Sequence, residues 1–285
     1  MLTQPLINLK QAGKEPSTGN PNKRERQRSM AKPKVLILRT AGTNCDYETD
    51  YAFQLAGAGT SLIHINQLIN NQVYLTDYHI MAIPGGFSYG DDIAAGILLA
   101  NELKFKLIDK ITEFFDRGGL ILGICNGFQV LVRSGLLPRI NSQQNNQQAT
   151  LAMNTSTKFE CRWVNLQTDK NISVFTKGLK NKLYLPVAHA EGRFIASDTI
   201  LDQLEANGQI VFRYVLPGYP HNPNGSHRNI AGVCDPTGRI LGMMPHPERY
   251  LIRHNHPRWT RENLPEEGDG LAIFRNAVDY ASTSC

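Results

Sequence analysis

An α/β fold is predicted for this 285-residue chain: a mostly parallel sheet flanked by helices, with added β strands in the second half. Three observations predict it. Short apolar runs alternate with helix-period stretches as far as Arg133, the pattern of strands buried on both faces. Glycines cluster where those runs end, at Gly85-Gly86 and around Cys125, and the carboxyl ends of parallel strands are where ligands bind. After Pro138 the alternation gives way to strand-like stretches separated by turn residues.

The first strand is Val35 to Leu38. A helix from Glu48 to Ala56 follows, stopped by Gly57, then a strand from Ser61 to Ile65. Ile80 to Ile83 is a short strand running into Pro84-Gly85-Gly86. An amphipathic helix is expected over Glu102 to Phe115, ending at Gly118-Gly119. Leu120 to Ile124 is a strand that leads into a helix from Gly127 to Arg133. The polar run Asn141 to Ala149 reads as an exposed loop. Strands are expected at Phe159 to Leu166, Leu183 to Ala188, Gln209 to Tyr214, Ile230 to Cys234 and Arg239 to Met244, and residues 270–281 should form a closing helix. No internal repeat is visible.

The net charge of +5 is concentrated at one end. Residues 1–34 hold eight Lys/Arg against Glu15 and Glu25, which leaves the remainder at −1. The expected organisation is therefore a disordered basic extension over 1–31 and one domain over 32–285. The folded part offers no electrostatic case for nucleic acid. No apolar run reaches the ~20 residues of a membrane span, so no membrane is expected. The five cysteines are odd in number and form no CxxC pair. That argues against a disulfide framework and against a metal site, and suits a cytoplasmic location.

Gly123-Ile124-Cys125-Asn126-Gly127 is the thiol counterpart of the G-x-S-x-G nucleophile elbow. Small residues two positions either side let the chain turn sharply. The turn exposes the sulfur at a helix N-terminus, where the dipole and free N–H groups favour thiolate. A buried cysteine in a tight turn is the alternative. A nucleophile of this kind needs a base, and the base needs an orienting group. Pro245-His246-Pro247-Glu248 supplies both: in an extended segment His246 and Glu248 point the same way. His246 would move the proton and Glu248 would fix its tautomer. The N–H groups of Gly86 and Asn126 are the candidate oxyanion donors. Cys45, the competing nucleophile, has no His-x-Glu neighbour in sequence and reads as structural. His254 and His256 have weak metal spacing and read as a solvated loop.

Together these residues resemble class I glutamine amidotransferases, whose triad is Cys-His-Glu. The series Ala41-Gly42-Thr43-Asn44-Cys45-Asp46, Pro84 to Asp91, Gly123 to Gln129, His189-Ala190-Glu191-Gly192-Arg193 and Met244 to Arg249 is similar to the glutaminase subunits of phosphoribosylformylglycinamidine synthase. The resemblance runs from about Lys34 to Ala281. It implies a flavodoxin-like sheet and a catalytic triad of Cys125, His246 and Glu248. It also implies hydrolysis of glutamine to glutamate through a cysteine thioester, with ammonia passed on for de novo purine synthesis. The implied substrate-binding residues are Gln129, Phe87, Asn154, Ser156, His189 and Glu191. Gln129 also lies one helical turn beyond the elbow, on the cysteine's side. No cofactor is expected in this chain, which has no phosphate-binding loop. ATP and Mg are expected on a synthetase partner.

Two departures from the family pattern leave the partner's form open between a short synthetase with a small third subunit and a longer synthetase. Arg139 follows Pro138 where the family often has Gly, and Arg258 to Arg275 is similar to the end of the large single-chain form. Two other readings stay open on sequence alone. One is a free-standing cysteine hydrolase of γ-glutamyl amides; the other is a scaffold that keeps the fold without turnover.

Overall fold

The computed structural model describes residues 32–140 and 147–284. The expectations for residues 1–31, and most of that for Asn141 to Ala149, lie outside them. In chain order the elements are β1 (Lys34–Arg39), α1 (Asp46–Leu55), β2 (Gly59–His64), α2 (Ile65–Ile69), β3 (Ile80–Ile83), α3 (Ile97–Glu102), α4 (Ile108–Asp116), β4 (Leu120–Ile124) and α5 (Asn126–Arg133). There follow β5 (Thr150–Met153), β6 (Glu160–Thr168), β7 (Lys182–His189), β8 (Glu191–Ile195), α6 (Asp198–Ala206), β9 (Ile210–Tyr214), β10 (Ile230–Cys234), β11 (Ile240–Met243) and α7 (Leu271–Ser284).

Nine strands form one sheet in the order β2-β1-β3-β4-β11-β10-β9-β6-β7. From β2 to β11 the pairings are parallel, and from β11 onward they are antiparallel. The added strands of the second half thus continue the first sheet, and only β5 and β8 stand apart as a pair. β3 (IMAI) and β4 (LILGI) are buried at every residue, as central strands covered on both faces must be. Phe53 of α1 meets Phe274 of α7 edge-on at 5.0 Å, and Phe128 of α5 stacks on Phe194 of β8 at 6.3 Å.

The expected helix over Glu102 to Phe115 starts earlier, at Ile97, and carries a π-helical turn over Leu103–Leu107 between α3 and α4. Its N-terminal turn lacks a side-chain cap, which is why no start signal was visible. Four elements were not expected. α2 follows β2 directly and is capped by His64 through Asn66 N. α6 is capped by Ser197 through Ile200 N and buries Leu201 and Leu204. β5 and β8 are half-buried and mix polar with apolar residues, so neither has a clean strand period. Among the described residues no helix is long and apolar enough to cross a membrane.

One pairing positions the site. β11 runs parallel beside β4 with Gly242 opposite Gly123 and Met243 opposite Ile124, and Cys125 N donates to Met243 O at 2.8 Å. The segment leaving β11 therefore passes the residue leaving β4, although more than a hundred residues separate them.

Candidate active site

Cys125 sits between β4 and α5 at φ +52°, ψ −103°. A non-glycine residue with positive φ is uncommon and costs energy, so surrounding contacts must impose it. The flanking glycines show how. A Cβ on Gly127 would stand 1.9 Å from the Ile83 carbonyl oxygen, and one on Gly123 would stand 2.5 Å from Leu131 Cδ1 and 2.7 Å from Gly127 O. The elbow closes only because both positions are bare. Gln129 N donates to Cys125 O at 3.1 Å, while the N–H of Asn126 has no hydrogen-bond partner among the described residues. Cys125 is 5 % exposed, and its sulfur lies 3.5 Å from Ala188 O.

His246 leaves β11 with its N–H on Pro186 O at 2.8 Å. The stretch from His246 to Glu248 is not extended throughout. Pro247–Arg249 forms a 3₁₀ turn with proline at its start, closed by Tyr250 N on Pro247 O at 3.1 Å. Proline's fixed φ favours that start. The turn still brings the two side chains together: His246 Nδ1 lies 2.6 Å from Glu248 Oε1, both residues being buried. Burial alone would lower the proton affinity of the imidazole. The charges of Glu248 and Cys125 outweigh it and hold His246 well above its ordinary 6.5. His246 Nε2 makes no hydrogen bond and is free for the thiol and for a ligand.

Beyond β3, the Pro84-Gly85-Gly86-Phe87 turn runs over the imidazole. A Cβ on Gly85 would meet His246 Cε1 at 2.8 Å. Gly86 has φ +141° and bridges to Thr43, and a Cβ there would lie 2.7 Å from Asn44 N. The loop after β1 fixes this turn through Phe87 N to Gly42 O (2.9 Å) and Cys45 N to Gly85 O (3.2 Å). Among the described residues the Gly86 N–H has no hydrogen-bond partner, and neither has that of Asn126.

A polar network lies under the elbow. The Asn126 side chain accepts from Ser88 N at 3.2 Å and donates to Asp91 Oδ1 at 3.1 Å and to Gln129 Oε1 at 2.9 Å. Gln129 Nε2 donates to Glu191 O at 2.5 Å, and Glu191 pairs with Arg133 at 3.2 Å. Burial pushes the Asp91 carboxyl up, and Glu191 adds to that, against the Gly96 N–H, the Asn126 amide and Arg133. Asp91 and Arg133 were not singled out from sequence, although Asp91 ends the Pro84 to Asp91 motif.

His189 is 3 % exposed. Burial, and then the charge of His246, lower it to about 3, so it is a neutral ring. Its Nδ1 lies 3.1 Å from Asn154 Oδ1, and its Nε2 has no partner. Asn154 also donates to Lys158 O and His189 O and accepts from Gly192 N at 3.1 Å, which uses both donors and both lone pairs. The Ser156 hydroxyl is bound to Glu160 at 3.0 Å and touches none of the triad. Phe87, 45 % exposed, stacks on Phe159 at 6.5 Å.

Cys45 lies nearer the His-Glu pair than its place in the sequence suggests. It is buried, its sulfur lies within 4.8 Å of a His246 ring nitrogen and a Glu248 carboxylate oxygen, and Arg249 Nη2 donates to it at 3.1 Å. The companions it lacks in sequence are supplied by the fold. His256, expected in a solvated loop, is buried instead among Trp163, Tyr184 and Tyr250.

The family model of the CobB/CobQ-like glutamine amidotransferase domain matches residues 32–281. The chain is 50% identical over 258 residues to the phosphoribosylformylglycinamidine synthase subunit PurQ of Dehalococcoides mccartyi, covering 88% of this chain and 99% of that protein. It is 44% identical over 265 residues to the subunit of the same name from Methanococcus maripaludis, covering 87% and 97%. Among solved structures it is similar to a chain in the structure of PurLQS from Thermotoga maritima. That match has TM-score 0.69 and 32% identity, and covers 87% of this chain and 99% of that one. With its elbow, its His-Glu pair and full-length relatives of this kind, the chain belongs to the CobB/CobQ-like glutamine amidotransferase family, and within it to the PurQ subunits of phosphoribosylformylglycinamidine synthase.

Proposed function

We propose that this chain is the glutaminase subunit of phosphoribosylformylglycinamidine synthase, and that Cys125, His246 and Glu248 do its chemistry. Cys125 at positive φ, on the strand beside the one that delivers His246, is the observation that carries the reading. The thiolate of Cys125 attacks the side-chain carboxamide carbon of glutamine. The oxyanion that forms is met by the unbonded N–H groups of Gly86 and Asn126, which are held in place beforehand. His246 gives its proton to the departing nitrogen through Nε2 and ammonia leaves. A glutamyl thioester remains on Cys125. Water then attacks it with His246 as base, releasing glutamate and restoring the thiol. Glu248 holds Nδ1–H and stabilises the imidazolium without itself taking the proton.

For the substrate, Gln129 and Glu191 form the floor beyond the elbow, and the neutral His189 presents an unpartnered acceptor at Nε2. Phe87 with Phe159 forms an apolar rim. Asn154 has no side-chain atom left for a ligand, so its part is to hold His189. Ser156, engaged with Glu160, supports the same loop. The ammonia passes to a synthetase partner, with a small third subunit, as the PurLQS relative suggests. ATP and Mg act there, and the work is done in the cytoplasm.

The test is glutamate release by the purified chain, alone and with synthetase, third subunit, ATP and ribonucleotide substrate. Release that rises with the partners is expected. Release indifferent to them would favour a free-standing hydrolase of γ-glutamyl amides.

A further inference from the structure

We propose that Cys45 is a positioning residue for the glutaminase reaction, its thiol forming the fixed wall against which the His246 ring and the Gly85-Gly86 turn are both held. The proposal rests on the reading of His246 as the catalytic base.

Four contacts carry it. The Cys45 sulfur, a ring nitrogen of His246 and a carboxylate oxygen of Glu248 all lie within 4.8 Å of one another. The sulfur is fixed from two sides, accepting from Arg249 Nη2 at 3.1 Å and donating to Asn44 Oδ1 at 3.2 Å. A Cβ on Gly85 would touch His246 Cε1 at 2.8 Å and Cys45 Sγ at 3.1 Å, so ring, sulfur and turn meet at one point. The backbone of the same residue holds the turn, through Cys45 N on Gly85 O at 3.2 Å. Cys45 therefore lies beside the base and holds the turn that carries an oxyanion donor. A small displacement of either is costly when the reacting atoms must stay aligned.

Cys45 is not a second nucleophile. Its backbone is unstrained at φ −101°, and its sulfur is packed against Arg249 and His246, leaving 1 % of the residue exposed. Burial pushes its thiol up and the charge of Glu248 adds to that, against the nearby His246 ring and the charge of Arg249. A neutral thiol suits the position, because a second thiolate would compete with Cys125 for the imidazolium. The groups that face His246 are Glu248, Cys125, Cys45 and His189, with Arg249 behind Cys45.

The experiment compares wild type, Cys45→Ala and Cys45→Ser as full-length chains. Thermal melting establishes folding. Alkylation of Cys125 by iodoacetamide, followed on its own peptide by mass spectrometry, is measured against pH, and glutaminase kcat and KM are measured in the assembled synthase. Cys45→Ala should move the acid limb of Cys125 alkylation to higher pH, since an imidazole with one support removed binds its proton less tightly. It should lower kcat about tenfold and leave KM within about twofold. Cys45→Ser, which keeps a small donor in the same place, should retain most of the rate and of the limb. An unmoved limb with unchanged kcat would overturn the proposal, as would a lower melting temperature with the limb unmoved, which marks a purely structural cysteine. If Cys45→Ala does not fold, Cys45→Val, which fills the site but carries no donor, decides: a limb displaced from that of wild type supports the proposal, and a limb identical to that of wild type overturns it. A wild-type chain that releases no glutamate in the assembled synthase would instead fail the functional reading, and the alkylation limb separates the two failures.

Discussion

Cys125 and His246 are both buried, and the charge state of the imidazole is set by its neighbours rather than by exposure. In the proposed reaction Cys125→Ala removes the atom that carries the acyl group, and glutamate release should fall by at least about 10⁴-fold with the complex still assembled. Glu248→Gln tests the electrostatics. It keeps the shape and removes the charge that raises His246. The alkaline limb of kcat/KM should then move to lower pH and kcat should drop roughly 10²- to 10⁴-fold. A limb that stayed in place would mean that Glu248 orients the ring without tuning it. These three residues were legible in the sequence because each lies in a short motif with its own chemical logic. Cys45 was not, because its partners come from a loop two hundred residues away, and proximity in the fold leaves no trace in local spacing. The bonding of Asn154 was hidden for a related reason: an amide that satisfies four groups looks, as a letter, the same as one that waits for a ligand.

At the scale of elements, the elbow depends on how closely α5 approaches β3. Gly127→Ala would place a methyl 1.9 Å from the Ile83 carbonyl oxygen, a backbone atom that cannot swing aside. Overpacking of this kind should destabilise the fold by about 1–3 kcal/mol and lift the N-terminus of α5 away from the Gly86 turn. Urea unfolding and glutaminase kcat should both register it, and a variant as stable and active as wild type would refute the packing argument. Gly192→Ala acts on a different wall, with a methyl 2.4 Å from the His189 ring. Its expected signature is a raised KM for glutamine, measured by initial rates, with a smaller change in kcat. Continuous apolar runs made β3, β4 and β10 readable to the residue. β5, β8 and α6 were missed because these half-buried elements outside the main sheet mix polar and apolar residues, and their period is blurred.

For the whole molecule, two of the buried histidines, His189 and His246, impose opposite pH slopes on stability. His189 is lowered to about 3 from an ordinary 6.5, so the unfolded chain binds its proton first and stability is lost as pH falls below 6.5. His246 is raised above the same ordinary value, so its contribution is lost as pH rises through the raised value. Stability should peak near the ordinary histidine value, with an acid-side slope of at most about 1.4 kcal/mol per pH unit from His189. Urea midpoints against pH measure it, and His189→Gln should flatten the acid side alone. An acid slope unchanged in that variant would assign the effect to carboxylates.

The pairing of β11 with β4 also sets an order of events during synthesis. The elbow is made first, and the strand that delivers the proposed base is laid beside it only after more than a hundred further residues have been added. Until β11 has been made the nascent protein therefore holds the thiol without its base, so a partly made subunit cannot release ammonia that no synthetase is ready to receive. A chain truncated after Asp235 should accordingly release no glutamate, and turnover by it would break the link between strand order and the onset of activity.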